Sequence, residues 1–190
     1  WELYFPFSDG LAIWDALFDL GVTPVGIETY ANSRRLEKSL RLQNADLETE
    51  YNLYEAGLSR PKVKAAEFHG KDAYVQQRAL DEQAAYLCTF VLQDTTDSNG
   101  VVRYPVGTWP ILDPASKEVI IDSYGRRSYT TSMAYGPSLG VNVAMGYLPA
   151  EKANEGDTVL IEYVGEHYEA KVMKVGYGAL LDPTNERPKS

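Results

Sequence analysis

The sequence predicts an α+β protein. Its first part has strands interrupted by helices, and an antiparallel β-barrel or sandwich follows. Three observations carry this. Apolar residues recur at helical spacing in two stretches before residue 41. From Tyr86 onward the chain becomes a series of short alternating runs separated by turn residues. The chain has 190 residues, 44% of them hydrophobic, enough for one or two packed cores.

Residues 1–7 alternate bulky and polar and pass through Pro6, the pattern of a short or edge strand. Ser8 or Asp9 stands where a helix cap belongs. Ile13, Leu17 and Leu20, with Trp14 and Phe18, give a first helix, and Gly21 supplies its left-handed stop. Residues 22–27 form a connector or short strand around Pro24. A second helix is expected over 29–40. Tyr30, Ser33, Leu36 and Leu40 form its inner face; Arg34, Arg35, Glu37 and Lys38 fall on its polar sides. Residues 44–52 are polar and acidic without a period, hence a loop. A third helix is expected over 71–83. Too few strands precede Tyr86 for a doubly wound sheet.

Beyond Tyr86, strands are expected at 86–93, 101–104, 109–112, 117–122, 128–134, 141–148, 158–163 and 167–175. Turns fall at Asp97-Ser98-Asn99-Gly100, at Gly125, at Glu155-Gly156-Asp157 and at Gly165-Glu166. This spacing predicts a small antiparallel barrel or sandwich. The organisation expected is 1–84, then a β domain over 85–178, then a proline-rich tail, 179–190, loose or draped over another surface. Because the chain opens at Trp1 directly on strand-like sequence, it is expected to be part of a longer polypeptide.

A formal net charge of −9 argues against a nucleic-acid partner, which needs a basic footprint. No stretch has the length of a membrane span and none resembles a signal peptide, so no membrane association and a cytoplasmic location are expected. Cys88 is the single cysteine and lies in an apolar run, which reads as a buried small hydrophobe. The two histidines, His69 and His167, have no companion at metal-ligand spacing, so no metal site is expected. There is no Gly-x-Gly-x-x-Gly and no P-loop.

Four places carry candidate chemistry. Glu2 sits between aromatics; it is either an exposed strand carboxylate or an acceptor of two parallel hydrogen bonds from a heterocyclic edge. Arg35 is either a solvated helical charge or an arginine that donates to a ligand or fixes a site's carboxylates. Glu55 precedes Ala56-Gly57 and suits a structural carboxylate that satisfies loop N–H groups. Thr131-Ser132 lies in a strand, and Pro137-Ser138-Leu139-Gly140 reads as a hairpin connection.

Taken in order, these blocks resemble the C-terminal half of the glycine-cleavage T-protein (aminomethyltransferase) superfamily. The resembling runs are Trp1-Glu2-Leu3-Tyr4, Arg35-Leu36-Glu37, Leu53-Tyr54-Glu55-Ala56-Gly57-Leu58, Phe68-His69-Gly70-Lys71 and Thr131 through Gly140. Arg35-Leu36-Glu37-Lys38 and the ending Leu181-Asp182-Pro183 look closest to the folate-binding portions of dimethylglycine and sarcosine dehydrogenases. The resemblance implies the end of a folate-binding α+β module over 1–84 and a C-terminal antiparallel β-barrel domain after it.

It also implies tetrahydrofolate as cofactor, Glu2 as the carboxylate that reads the pterin ring, and Arg35 at the folate cleft. No catalytic residue is assigned here, because the family's catalytic aspartate lies in the N-terminal half. The implied partners are that half, a methylamine or other one-carbon donor, and a flavin domain or subunit if the parent is a dehydrogenase. A non-catalytic assembly module with the same fold is the third reading. The chain departs from the family at Arg34 (Leu in the family), at Met133 (Gly), at Ser59-Arg60-Pro61 (an aromatic) and at Glu82-Gln83-Ala84-Ala85 (a basic residue). These departures bear on how the folate tail is held.

Overall fold

A computed structural model describes residues 2–59 and 62–186. Its centre is one six-stranded sheet. The strands are β1 (Ala85–Leu92), β2 (Ile111–Leu112), β3 (Thr130–Gly136), β4 (Val141–Pro149), β5 (Thr158–Tyr163) and β6 (Glu166–Val175). They run in the order β2-β5-β6-β1-β4-β3, with every neighbouring pair antiparallel. The two edges then meet. Pro110 bridges Tyr129, Ile111 N–H donates to Ser128 O at 3.0 Å, and Thr130 N–H donates to Trp109 O at 2.8 Å. The sheet therefore curls round until its two edge segments bridge at residues 109–111 and 128–130.

Alternation along the strands makes two cores. Cys88, Phe90 and Leu92 of β1 point inward with Ile111, Met133, Ala144, Leu148, Ile161 and Val172. The opposite face of β1 and β4 carries Leu87, Val143, Met145 and Tyr147, and it is covered by Leu36 and Ala56 from the first part of the chain. Gly146 makes the closure sterically feasible. A Cβ there would lie 2.5 Å from Tyr129 O and 2.9 Å from Ile111 Cδ1.

Three helices precede the sheet: α1 (Gly10–Asp19), a π-helical turn Thr29–Arg34 that runs into α2 (Arg35–Glu37), and α3 (Lys71–Arg78). The first helix lies where the spacing places it, and Gly21 has φ +80°. Its caps do not form as expected: Ser8 bonds to Asp9 rather than to the helix N-terminus. No residue of α1 is buried, and Leu11, Trp14 and Phe18 are exposed.

Several expectations are corrected. Among the described residues Glu2 to Pro6 join no strand pairing, and Trp1 lies outside them; Pro6 has no N–H to give a ladder, and the Tyr4 hydroxyl turns to Glu2. On the second helix, Leu36 is buried, but so are Arg35 and Glu37, while Tyr30 and Leu40 are exposed. Polar partners, not apolar periodicity, set that inner face. The third helix stops at Arg78, and the Gln83 side chain folds back to Gln77 O and to Asn52.

The strands expected at 101–104 and 117–122 are only isolated bridges. Asp97 and Asp122 each draw loop N–H groups and an arginine onto one carboxylate, which holds those segments as turns. The end of the described chain is draped rather than loose. Leu180 and Leu181 donate to Glu37 O, and Lys38 donates to Asp182 O at 2.8 Å. Among the described residues, no helix is long and apolar enough to cross a membrane.

Candidate functional site

The signature blocks meet at a buried polar junction on the outer face of the sheet. Arg35 is 8% exposed. A guanidinium has five N–H donors, and each has an acceptor here. Nε donates to Ala31 O in the π turn. Nη1 donates to Asp46 Oδ2 at 2.6 Å and to Leu40 O at 3.3 Å. Nη2 donates to Ser132 Oγ at 2.6 Å and to Asn32 Oδ1 at 3.4 Å.

Asp46 answers with equal commitment. Its Oδ2 also accepts Leu42 N–H at 2.9 Å, and its Oδ1 accepts the Thr131 hydroxyl. The Tyr147 hydroxyl donates to Asp46 O at 2.7 Å. Burial raises the Tyr147 hydroxyl pKa above its ordinary value, and the Asp46 charge adds to that. A buried ion pair persists only when such extra bonds satisfy its remaining donors and lone pairs.

Glu37 forms the second contact between blocks. It is fully buried, its Oε1 accepts Ser138 N–H at 2.6 Å, and its Oε2 lies 3.9 Å from Arg34 Nε. Gly136 leaves the room this needs, since a Cβ there would come within 3.2 Å of the Glu37 side chain. Arg126 clamps the loop on the other side of the junction. It bonds Asp122 at 2.6 Å, Glu50 O at 2.7 Å and both oxygens of Glu55, and it lies 4.3 Å over the Tyr51 ring. Glu55 also accepts Asn52 N–H at 2.9 Å, the structural part expected of it.

Glu2 stands apart. It is exposed, and its Oε2 accepts the Tyr4 hydroxyl at 2.7 Å. Among the described residues no hydrogen bond or ion pair joins it to Arg35. The sequence reading missed Asp46, Arg126 and Tyr147. Asp46 sits in a polar run that reads as a solvated loop; its only signal is that an arginine, once buried, needs a carboxylate. Cys88 is fully buried, and burial pushes its thiol up to about 12. Among the described residues no three His, Cys, Asp or Glu side chains group as metal ligands.

Fold and junction together define a curled antiparallel sheet with the first part of the chain packed on one face. Residues 110–175 match the family model described as the glycine cleavage T-protein C-terminal barrel domain. The chain is 30% identical to the mitochondrial dimethylglycine dehydrogenase of Homo sapiens over 98% of its own length and 20% of that protein. It is 28% identical to the aminomethyltransferase of Koribacter versatilis over 90% of its length and 43% of the relative.

The crystal structure of the glycine cleavage system aminomethyltransferase T from Bartonella henselae shares the fold, with a TM-score of 0.69 at 24% identity. The match covers 89% of this chain and 44% of that one. The superfamily resemblance and the barrel expected from the sequence are thus borne out. The chain spans less than half the length of each of these relatives.

Proposed function

We propose that this chain is the C-terminal portion of a tetrahydrofolate-dependent aminomethyl- or methyltransferase, which takes a one-carbon unit from an amine or another methyl donor. The observation that supports it is the junction. Arg35 and Ser132, 97 residues apart and drawn from two separately resembling blocks, bond at 2.6 Å. Glu37 and Ser138 repeat that convergence. Motifs that hold one structural unit together are better evidence of kinship than motifs matched one by one.

Tetrahydrofolate would supply the nitrogen that accepts the one-carbon unit. Glu2 fits a pterin-reading role, because its carboxylate is exposed and its only bond among the described residues is to Tyr4. Arg35 does not fit as a direct donor to the ligand, because all five of its N–H groups are engaged. It enters this reading as a positioning residue that holds the helix over residues 29–37 against β3. The acid–base residue of the reaction would lie in sequence that the relatives have and this chain does not span. A cytoplasmic location is part of the proposal.

A second reading keeps the folate module and attaches it to a flavin-dependent demethylating dehydrogenase. The 30% identity to the human dimethylglycine dehydrogenase favours it, and the flavin domain would again lie outside this chain. The test is calorimetric titration of tetrahydrofolate into the full-length protein and its Glu2→Ala variant. Saturable binding that the variant loses supports the proposal; unaltered affinity in the variant removes Glu2 from it. A folded protein with no folate binding leaves a non-catalytic module. A flavin spectrum in the purified protein selects the dehydrogenase.

A further inference from the structure

Residues 95–97 and 101–103 form a short antiparallel hairpin outside the six-stranded sheet, with Thr96 bridged to Val102. Alternate residues of its outer arm bond to the inner arm. Val101 O accepts Asp97 N–H at 2.9 Å, and Val101 N–H donates to Asp97 Oδ1 at 2.9 Å. Arg103 N–H donates to Thr95 O at 2.9 Å, and the Thr95 hydroxyl donates to Arg103 O at 2.6 Å. The residues between and after them turn their backbone groups the other way. Among the described residues, no hydrogen bond reaches the N–H or the C=O of Val102 or Tyr104.

The side chains on this open edge are apolar. Val102 is 54% exposed and Tyr104 67%, and Val101, Val106 and Tyr135 extend the patch. The Tyr104 ring rests edge-on against Tyr135 at 6.3 Å. Proteins blunt an open edge with lysines, prolines or inward-pointing charges. Here the one charge on the arm, Arg103, is tied to Asp97 at 2.6 Å, and Pro105, which has no N–H, limits the edge only beyond Tyr104.

We propose that this edge pairs with the same edge of a second copy of the chain. The pattern is self-complementary. With Val102 of one copy opposite Tyr104 of the other, each of these residues donates one N–H and accepts one at its C=O. A single two-fold axis at Arg103 generates both pairs. Each pair sets a β-branched side chain beside an aromatic one, a favourable cross-strand combination. The two Arg103 residues then face each other across the axis, and each Asp97 carboxylate offsets the charge of its own arginine. A patch of a few hundred Å² falls short of the roughly 800 Å² per partner of a standard interface, so the dimer is weak, with Kd on the order of 100 μM. The proposal does not depend on the folate reading.

The test is sedimentation equilibrium and amide hydrogen exchange of the full-length protein from about 1 μM to about 1 mM. The wild type should pass from monomer to dimer. The Val102 and Tyr104 amides should gain protection as concentration rises, while those of Val101 and Arg103, already bonded, should not change. Val102→Lys with Tyr104→Lys sets like charges opposite one another and should weaken association about tenfold or more, at an unchanged melting temperature because both side chains are exposed. Val102→Lys with Tyr104→Glu sets opposite charges across the same register and should associate more tightly than the double-lysine variant. A wild type that stays monomeric, Val102 and Tyr104 amides that do not respond to concentration, or two variants that associate equally would each overturn the proposal.

Discussion

Replacing Arg35 by alanine tests its structural part most sharply. The change removes the cation 2.6 Å from Asp46 and leaves that carboxylate buried with the Leu42 N–H and the Thr131 hydroxyl as its remaining donors. Breaking a buried pair from one side costs about 3–5 kcal/mol. For a chain of this length each kcal/mol lowers the melting temperature by about 2–4 °C, so a fall of about 6–20 °C is expected. Asp46→Ala should cost a similar amount, because it strands the guanidinium instead.

The double variant Arg35→Met, Asp46→Leu should recover much of the loss, since neither charge then needs desolvation. Urea denaturation of the two alanine variants and their combination gives the coupling directly. Under the proposed function, folate affinity measured on the folded fraction should fall only as far as the helix moves. A loss under about 1 kcal/mol in Arg35→Ala, together with abolished folate binding, would refute this reasoning. It would return Arg35 to the ligand as a direct donor.

Gly146→Ala should destabilise the barrel by at least the ~1–3 kcal/mol of overpacking, because the new methyl meets backbone at Tyr129 rather than a yielding side chain; thermal unfolding reads it. Cys88 should resist thiol reagents in the native protein at pH 8 and react at the rate of unfolding, since its thiol is buried and titrates only at about 12. The Asp113 carboxyl should titrate at about 2, held down first by the Lys152 ammonium and then by the Ser116 and Ala115 N–H groups. Its contribution to stability is therefore complete above the ordinary carboxylate range and fades as pH falls from about 4 to about 2. A carboxyl NMR titration of wild type and Lys152→Ala should show the midpoint rise in the variant.

The legible part of this fold is the part where periodicity and burial coincide. β5 and β6 fall within a residue of where Thr158 to Val175 alternate between turns at Gly156 and Gly165. The segments 101–104 and 117–122, which did not become strands, fail for one shared reason. Asp97 and Asp122 hold their own loops by side-chain bonds, a local competition with the ladder that hydrophobic pattern does not register. The second helix shows the same limit from the other side. An amphipathic reading puts Arg35 and Glu37 in water, because it assigns each residue by type alone. Their burial depends on Asp46, Ser132 and Ser138, which lie 11, 97 and 101 residues away along the chain.

No local window contains that information. What did point to it was the joint order of short motifs, since those blocks are the ones the fold brings into contact. The apolar surface of α1 is consistent with the same view. Trp14, Phe18 and Leu11 read correctly as helix from their spacing, yet they lie exposed. Apart from Asp15 and Asp19, one turn apart, the helix is apolar, and such a surface is built to be covered. The spacing fixes its conformation from within, and only a partner surface fixes where it packs.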